Sequence, residues 1–247
     1  MDLDAFFLVE GIDEFTIVGI ENLPDADRSG PLHLLPSARS VIVFGREIPI
    51  PFYKLPPGEK TQKMLHIAET LDRTAAHLAD LLIAENFRSA VVPLFLPVRV
   101  VSGRIQGIVR LKQIAVLGGL GMIGKNTILI SLRYGNRLVF AGIVTEMEAG
   151  LPKSPLVADF CGNCGRCVRA CPGGAIGPAG VNAFRCRNIS PWIPALLVPA
   201  ATWLMSHDSV QRFAAPFISW ISRYATMRCN LCVTVCPYFL CRGTGEG

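Results

Sequence analysis

Acidic residues are absent from one long stretch of this 247-residue sequence and scarce in another. No Asp or Glu lies between Glu85 and Glu146, and only Asp208 and Glu246 follow Cys171. Both stretches contain arginines, so each carries a net positive charge. Such one-sided charge favours anionic ligands or partners, although an ordinary solvated basic surface gives the same pattern.

The sequence is also poor in charge overall and lacks the features of an exported protein. Charged residues make up 17% and hydrophobic residues 51%, which excludes a disordered chain and indicates a globular core. Residues 1–10 lack the basic segment of a signal peptide, so we expect a cytoplasmic protein. In that reducing compartment, nine cysteines favour metal binding over disulfides.

A long uninterrupted hydrophobic run is absent as well. The uncharged segment Asn188–Ser206 approaches the length of a transmembrane helix, but Pro191, Pro194 and Pro199 interrupt it. We therefore expect packed helical pieces and no transmembrane span. Contact of this segment with a membrane surface is the alternative.

Short β-branched and aliphatic runs predict strands at Thr16–Gly19, Val41–Phe44 and Ala90–Val92. Proline-punctuated loops are expected at residues 23–37 and 49–58. Residues 111–117 are apolar and suit either a helix or a strand.

Apolar residues at spacings of three and four from Met64 to Leu82 predict an amphipathic helix, with Thr61 as its N-cap and Asn86 as its stop. Two β-branched runs, Thr127–Leu132 and Arg137–Thr145, flank a short Gly-Asn turn and predict a hairpin. A linker into the cysteine-rich region is predicted at residues 150–154.

The first cysteine motif comprises Cys161, Cys164, Cys167 and Cys171, spaced C-x2-C-x2-C-x3-C and followed by Pro172. This is the bacterial ferredoxin run, in which the fourth thiolate binds a different 4Fe–4S cluster from the first three. Zinc does not explain it, because a zinc site usually takes two separated pairs of ligands.

The second motif, Cys229-x2-Cys232-x3-Cys236-Pro, has Thr226 where the run requires its first cysteine, and Cys186 is the substitute. We therefore predict two 4Fe–4S clusters. The first cysteine group is Cys161, Cys164, Cys167 and Cys236, and the second cysteine group is Cys171, Cys186, Cys229 and Cys232. Cys241 is left over; in the alternative, Cys241 is a ligand and Cys186 is a buried free thiol.

Residues 119–124, GLGMIG, match the dinucleotide-binding pattern G-x-G-x-x-G, with Glu146 downstream. That motif must open a helix, whereas Thr127–Ile130 is β-branched and aliphatic. The stretch also departs from a P-loop, because Asn126 stands where Ser or Thr would bind magnesium. We therefore predict a loop that leads into a strand.

Five features occur in this order: Pro36–Gly45, the stretch Gly119–Thr127, the first cysteine motif, isolated Cys186, and the second cysteine motif. In this combination the sequence resembles the epoxyqueuosine reductase and reductive dehalogenase superfamily. The resemblance covers most of the chain.

The resemblance implies an α+β protein in two domains. Residues 1–154 would form a nitroreductase-like α/β sandwich that binds cobalamin or another corrinoid, and residues 155–247 would form a bacterial-ferredoxin-like domain with both clusters. The implied cofactor site contains Gly119, Gly121, Gly124, Lys125, Asn126 and Thr127, with the hairpin that follows. A flavin is the alternative cofactor, and the basic span from Arg88 to Arg137 would suit the phosphate of either.

The sequence departs from the epoxyqueuosine reductases in two ways. Those enzymes are longer and carry a helical-repeat extension that helps to hold transfer RNA, which argues against transfer RNA as a partner here. They also place an aspartate proton donor ahead of the glycine stretch, in a region that has no carboxylate in this sequence. Tyr134 or a lysine is the candidate substitute.

These features predict an iron–sulfur oxidoreductase. It would take electrons from a low-potential donor such as ferredoxin or flavodoxin and pass them through two clusters to a corrinoid, for a reductive reaction on a small molecule or a corrinoid protein. The alternative is an electron-transfer or corrinoid-activating protein that performs no bond chemistry. The missing acid favours this alternative, and the retained glycine–lysine stretch favours the oxidoreductase.

Overall fold

The computed structural model describes residues 2–93, 98–101, 103–150, 161–162, 164–191, 193–204, 207, 209–210 and 226–241. The helices are α1 (Leu3–Val9), α2 (Asp25–Leu34), α3 (Pro57–Ala84), α4 (Leu111–Leu117), α5 (Arg166–Ala170), α6 (Val198–Leu204) and α7 (Leu231–Thr234). The strands are β1 (Glu14–Gly19), β2 (Ser40–Glu47), β3 (Ser89–Val91), β4 (Val98–Val101), β5 (Arg104–Gly107), β6 (Met122–Ile123), β7 (Leu129–Ile130), β8 (Leu138–Thr145), β9 (Ile176–Gly177) and β10 (Gly180–Val181). This mixture confirms the α+β class.

An antiparallel sheet in the order β1-β2-β8-β3 lies at the centre of the α/β sandwich. Residue Ile42 of β2 pairs with Ile143 of β8, and its neighbour Val41 pairs with Val144. Successive side chains of a strand point to opposite faces. All four are fully buried, so both faces of the sheet are covered.

Helix α3 covers one face of the sheet, and α4 covers the other. Leu71, Ala75, Leu78 and Leu82 of α3 are completely buried, in agreement with the predicted helical period. On the opposite face, Ile114 of α4 packs in the same cluster as Val41 and Val43 of β2. The α/β sandwich therefore has two separate apolar layers.

The predicted start of the long helix was wrong. Helix α3 begins at Pro57, because proline has no amide hydrogen and a preset φ, which suits the first helical turn. Thr61 lies inside the helix, where its hydroxyl donates to the Pro57 carbonyl at 2.6 Å and accepts from the Met227 amide at 2.7 Å.

Helix α2 occupies most of the predicted loop 23–37, so that prediction was also wrong. Pro24 precedes the helix, and Asp25 and Asp27 in its first turn complement the positive end of the helix dipole. Pro31 lies inside the helix without ending it. The predicted loop 49–58 likewise contains a 3-10 turn at Ile50–Lys54 and the start of α3.

The predicted hairpin did not form as expected. Strand β7 pairs with β6, whereas β8 pairs with β2 and β3. An isolated bridge joins Ser131 to Gly135 between them. The reason is that β8 is buried in the middle of the central sheet, where pairing on both sides satisfies its backbone. Residues 111–117 form a helix.

The cysteine-rich region contains the short elements α5, α6, α7, β9 and β10. A 3-10 turn at Ala195–Leu197 and helix α6 are the helical pieces in the described part of the segment Asn188–Ser206. Helix α6 has no buried side chain, and Leu196 and Trp203 are 90% and 60% exposed, so these pieces are not packed as predicted. Trp192, the linker at residues 151–154 and the domain boundary lie outside the described residues. Within the part of the chain that is described, no helix has both the length and the apolarity for a membrane span.

Neighbouring positions on α3 test this packing. Leu82 is completely buried, whereas Ile83 is 52% exposed. Leu82→Ala should lower the free energy of unfolding by about 2–5 kcal/mol, because it leaves a cavity in the core. The matched control Ile83→Ala should change it by less than about 1 kcal/mol. Denaturant unfolding of both variants measures the difference, and equal losses would contradict the assigned face.

Candidate functional site

The first cysteine group is assembled from two distant parts of the chain. The Cys164 amide donates to the Cys161 carbonyl at 3.0 Å, and Gly165, with a φ of 58°, turns the chain into α5, which carries Cys167. Cys236 follows α7, which packs against α5. All four cysteines of the group line one small cavity, together with Asn126, Ile130, Gly165, Arg166, Pro237 and Tyr238.

The second cysteine group draws on three parts of the chain. Cys186 follows a 3-10 turn at Ala183–Arg185. Asn188 then holds the Cys229 backbone by two bonds, with its Oδ1 accepting from the amide and its Nδ2 donating to the carbonyl, each at 2.8 Å. The Cys171 Sγ accepts a hydrogen bond from the Ala175 amide at 3.2 Å. Sequence reasoning missed Asn188, which no motif distinguishes.

The acidities of the thiols reflect this crowding. The pKa of Cys232 is raised to about 11, mainly by burial and then by the neighbouring thiolates of Cys186, Cys229, Cys171 and, least, Cys167. Burial also raises the pKa of Cys236; the Tyr238 amide lowers it, and the thiolates of Cys161, Cys167 and Cys164 raise it. Each of these two thiols therefore has the other members of its own group as its main thiol neighbours.

Four thiolates crowded together repel one another unless a cation lies among them. Iron supplies that charge, and four cysteine thiolates are the usual ligands of a 4Fe–4S cluster. Each group provides this donor set, so the residues fit the cofactor. Across the described ranges, no three His, Cys, Asp or Glu side chains form a site for a single metal ion.

Arg137 ties the second motif to the α/β domain. Its guanidinium is 2% exposed, pairs with Glu47 at 2.6 Å, and donates to the Phe239 carbonyl and, at 2.9 Å, to the Cys241 carbonyl. Gly135, with a φ of 57°, lies so close to this segment that a Cβ there would be 1.7 Å from the Tyr238 carbonyl oxygen. A side chain at position 135 would push the segment away.

Further contacts secure the same segment. Phe239 is buried in the core under α3, with its ring edge-on to Tyr53 at 5.0 Å between centroids. The Asn230 side chain donates to the Tyr53 carbonyl at 2.7 Å, and that of Asn136 donates to the Val233 carbonyl at 2.9 Å. The apolar residue Phe239, two residues after Pro237 at the end of the motif, was the available sequence signal for this docking.

The predicted cofactor-binding stretch faces the cysteine region. The Lys125 amide lies 3.4 Å from the Cys161 Sγ, and the Asn126 side chain donates to the Cys232 carbonyl at 2.8 Å. A Cβ on Gly121 would be 2.1 Å from the Ile130 carbonyl oxygen, so this glycine permits a close approach within the chain itself. Thr127 has a φ of 59°. The loop leads into β7, as predicted, and not into a helix.

Tyr134 lines a separate cleft of about 330 Å³ with Arg133, Arg137, Glu47 and the 49–51 turn. Burial raises the pKa of Tyr134; the carboxylates of Asp13, Glu14 and Glu47 raise it further, while Arg133 lowers it. The phenol is therefore protonated at neutral pH, as a proton donor must be, but it is a weaker acid than free tyrosine.

Three arginines of the basic span 88–137 are paired with carboxylates within the protein. Arg110 pairs with Asp27 at 2.5 Å, Arg88 lies 4.0 Å from Glu146, and Arg137 pairs with Glu47. These acids lie outside the span. These pairs reduce the positive charge that the three arginines could offer to a cofactor phosphate, and phosphate binding by the span stays a prediction.

Comparisons with known proteins agree with this site. The 4Fe-4S binding domain family matches residues 155–177, which contain the first cysteine motif. An epoxyqueuosine reductase of Gloeobacter violaceus is 33% identical over 143 residues, or 54% of this chain and 37% of the relative. One of Listeria monocytogenes is 28% identical over 172 residues, or 68% of this chain and 43% of the relative. The chain thus spans less than half the length of these curated relatives.

Solved structures share the fold. Epoxyqueuosine reductase from Streptococcus thermophilus matches with a TM-score of 0.61 and 20% identity, over 96% of this chain and 65% of that one. An epoxyqueuosine reductase bound to a tRNA stem loop matches with a TM-score of 0.64 and 18% identity, over 98% and 66%. A reductive dehalogenase, described with a mechanism for B12-dependent dehalogenation, matches with a TM-score of 0.53 and 13% identity, over 87% and 36%.

Sequence and fold thus agree with the resemblance stated above. The matched region includes the α/β sandwich as well as the cysteine motifs, so the likeness is not confined to a ferredoxin-like module. The chain is therefore similar to epoxyqueuosine reductases in sequence and fold and to a reductive dehalogenase in fold, and its residues 155–177 match a 4Fe–4S binding domain.

Proposed function

We propose that this protein binds two 4Fe–4S clusters and carries electrons through them to a second cofactor in a reductive reaction. The observation that carries the proposal is the assembly of the two cysteine groups, in which each of Cys232 and Cys236 has its three partners as its main thiol neighbours. Cys186 takes the place of the missing motif cysteine in this arrangement, and Cys241 stays outside both groups.

Proximity of the two groups supports electron transfer between them. The thiolate of Cys167, in the first group, acts on Cys232 of the second. Helices α5 and α7, which carry these two cysteines, pack together. Two clusters held side by side in this way form a path for single electrons. We propose a cytoplasmic location and a low-potential donor such as ferredoxin or flavodoxin.

The acceptor that we propose is a corrinoid, on the strength of the superfamily and of the B12-dependent dehalogenase among its structures. The described residues do not form a cradle for one. The cavities of about 490 and 330 Å³ match small ligands, and the glycine–lysine stretch contacts the cysteine region instead. We therefore assign no reaction step to a corrinoid.

An electron-transfer protein without bond chemistry is the second candidate. It is favoured by the absence of carboxylates between residues 86 and 145, which leaves Tyr134, with its raised pKa, as the candidate proton donor. A flavin is the alternative cofactor. For an enzyme, the first substrate to test is epoxyqueuosine-modified tRNA, because one structural neighbour was solved with a tRNA stem loop carrying it.

Iron content tests the ligand assignment. Anaerobically purified protein should contain about eight irons per chain, and Cys186→Ser should lose about half of them because it removes a ligand of the second cluster. The matched control is Cys241→Ser, which should keep all its iron. Iron analysis and electron paramagnetic resonance of the dithionite-reduced protein measure both effects.

If Cys241→Ser lost about half of its iron and Cys186→Ser kept all of it, Cys241 would be the ligand and Cys186 the free thiol. About four irons per chain in the unaltered protein would contradict the two-cluster proposal.

Cofactor binding tests the acceptor. Hydroxocobalamin and FMN are added separately to the iron-loaded protein, followed by gel filtration and visible spectroscopy. A corrin band that shifts and co-elutes with the protein supports the corrinoid-dependent reductase. Co-elution of FMN alone supports the flavin alternative, and co-elution of neither leaves the electron-transfer protein.

A further inference from the structure

Two adjacent residues of the α/β domain contact both cysteine groups. The Lys125 amide lies 3.4 Å from the Cys161 Sγ, and its Nζ donates to the Gly162 carbonyl at 2.7 Å. The neighbouring Asn126 is 5% exposed, and its Nδ2 donates to the Cys232 carbonyl at 2.8 Å. Lys125 therefore touches the first group, and Asn126 holds a member of the second.

The loop that presents these residues is held firmly in place. The Gly124 amide donates to the Ile128 carbonyl at 2.9 Å, and the Thr127 amide donates to the Gly124 carbonyl at 2.8 Å. Lys112 on α4 adds a bond from its Nζ to the Thr127 carbonyl at 2.8 Å. A tight loop of this kind keeps the Lys125 amide directed at one sulfur.

The charge of Lys125 is available to that site. Among the ion pairs of the described residues, none involves Lys125, and its ammonium contacts the carbonyl next to Cys161. Reduction adds one negative charge to a cluster. A positive charge and an N–H···S bond both stabilise that added charge, so both raise the reduction potential.

We propose that Lys125 is a positioning residue that raises the reduction potential of the first cluster, while Asn126 fixes the second cysteine group beside it. The inference rests on the proposed function, since it requires the clusters. It assigns the glycine–lysine stretch to electron transfer, a role different from that of lining the N-terminal cofactor.

The test is a potentiometric titration of the iron-loaded protein, followed by electron paramagnetic resonance. Lys125→Gln should make one of the two reductions about tenfold less favourable, which is about 59 mV for a one-electron step. The other reduction and the iron content should stay the same. Lys125→Arg should restore the original potential, because it keeps the charge.

Lys112→Gln is the matched control, since it removes one positive charge from a residue bound to the same loop but to no cysteine. It should change either reduction by about twofold or less, because the exposed ammonium of Lys112 binds the Thr127 carbonyl and is screened by solvent and salt. Equal shifts in Lys125→Gln and Lys112→Gln, or an unchanged Lys125→Gln, would overturn the proposal. Protein with fewer than eight irons before any substitution would instead refute the two-cluster function itself.

Discussion

The guanidinium of Arg137 holds the second cysteine motif against the α/β domain, and the geometry of both cysteine groups depends on this attachment. Cys236 completes the first group, and Cys229 and Cys232 belong to the second, yet all three lie on one short segment at residues 226–241. The buried charge of the Arg137 guanidinium is stable only when it is paired and hydrogen-bonded. Glu47 and two backbone carbonyls meet that requirement. Losing one partner of such a pair typically costs about 3–5 kcal/mol.

The uneven charge of the sequence is related to the same kind of pairing, in which an arginine binds a carboxylate that is distant in sequence. Arginines of the carboxylate-free span are paired with acids that come from outside it, at Asp27, Glu47 and Glu146. From Cys161 to Cys241, the described residues include no Asp or Glu at all. Thiolates that bind iron carry negative charge, and nearby carboxylates would oppose both their ionisation and the arrival of an electron. The described part of the cysteine region therefore has no carboxylate that would oppose a bound 4Fe–4S cluster. Because three arginines of the carboxylate-free span are paired within the protein, only the remaining positive charge of that span is available to partners.

Regular periodicity and fixed motif spacing were predictable because they reflect local geometry. The apolar period of α3 and the β-branched run of β2 identified the elements that form the core. The cysteine spacing predicts how the thiols are shared between the two groups, and this sharing stays a prediction. Long-range pairing was not predictable. The partner of β8 is chosen by burial in the central sheet, and the role of Thr61 is set by Met227, which is remote in sequence. The docking residues Arg137 and Asn188 act on backbone carbonyls and amides, which leave no trace in a motif.

The glycine-rich stretch shows how one pattern supports different structures. Three glycines beside a lysine resemble a loop that cradles a phosphate, but such a cradle requires free amides directed at a ligand. Here the amides of Gly124 and Thr127 bond within the loop, the amide of Lys125 faces a cysteine sulfur, and Gly121 permits contact with β7. The stretch is thus a contact between the α/β sandwich and the cysteine region. The residues that make this contact also touch Cys161 and hold the Cys232 backbone, so one loop positions members of both cysteine groups.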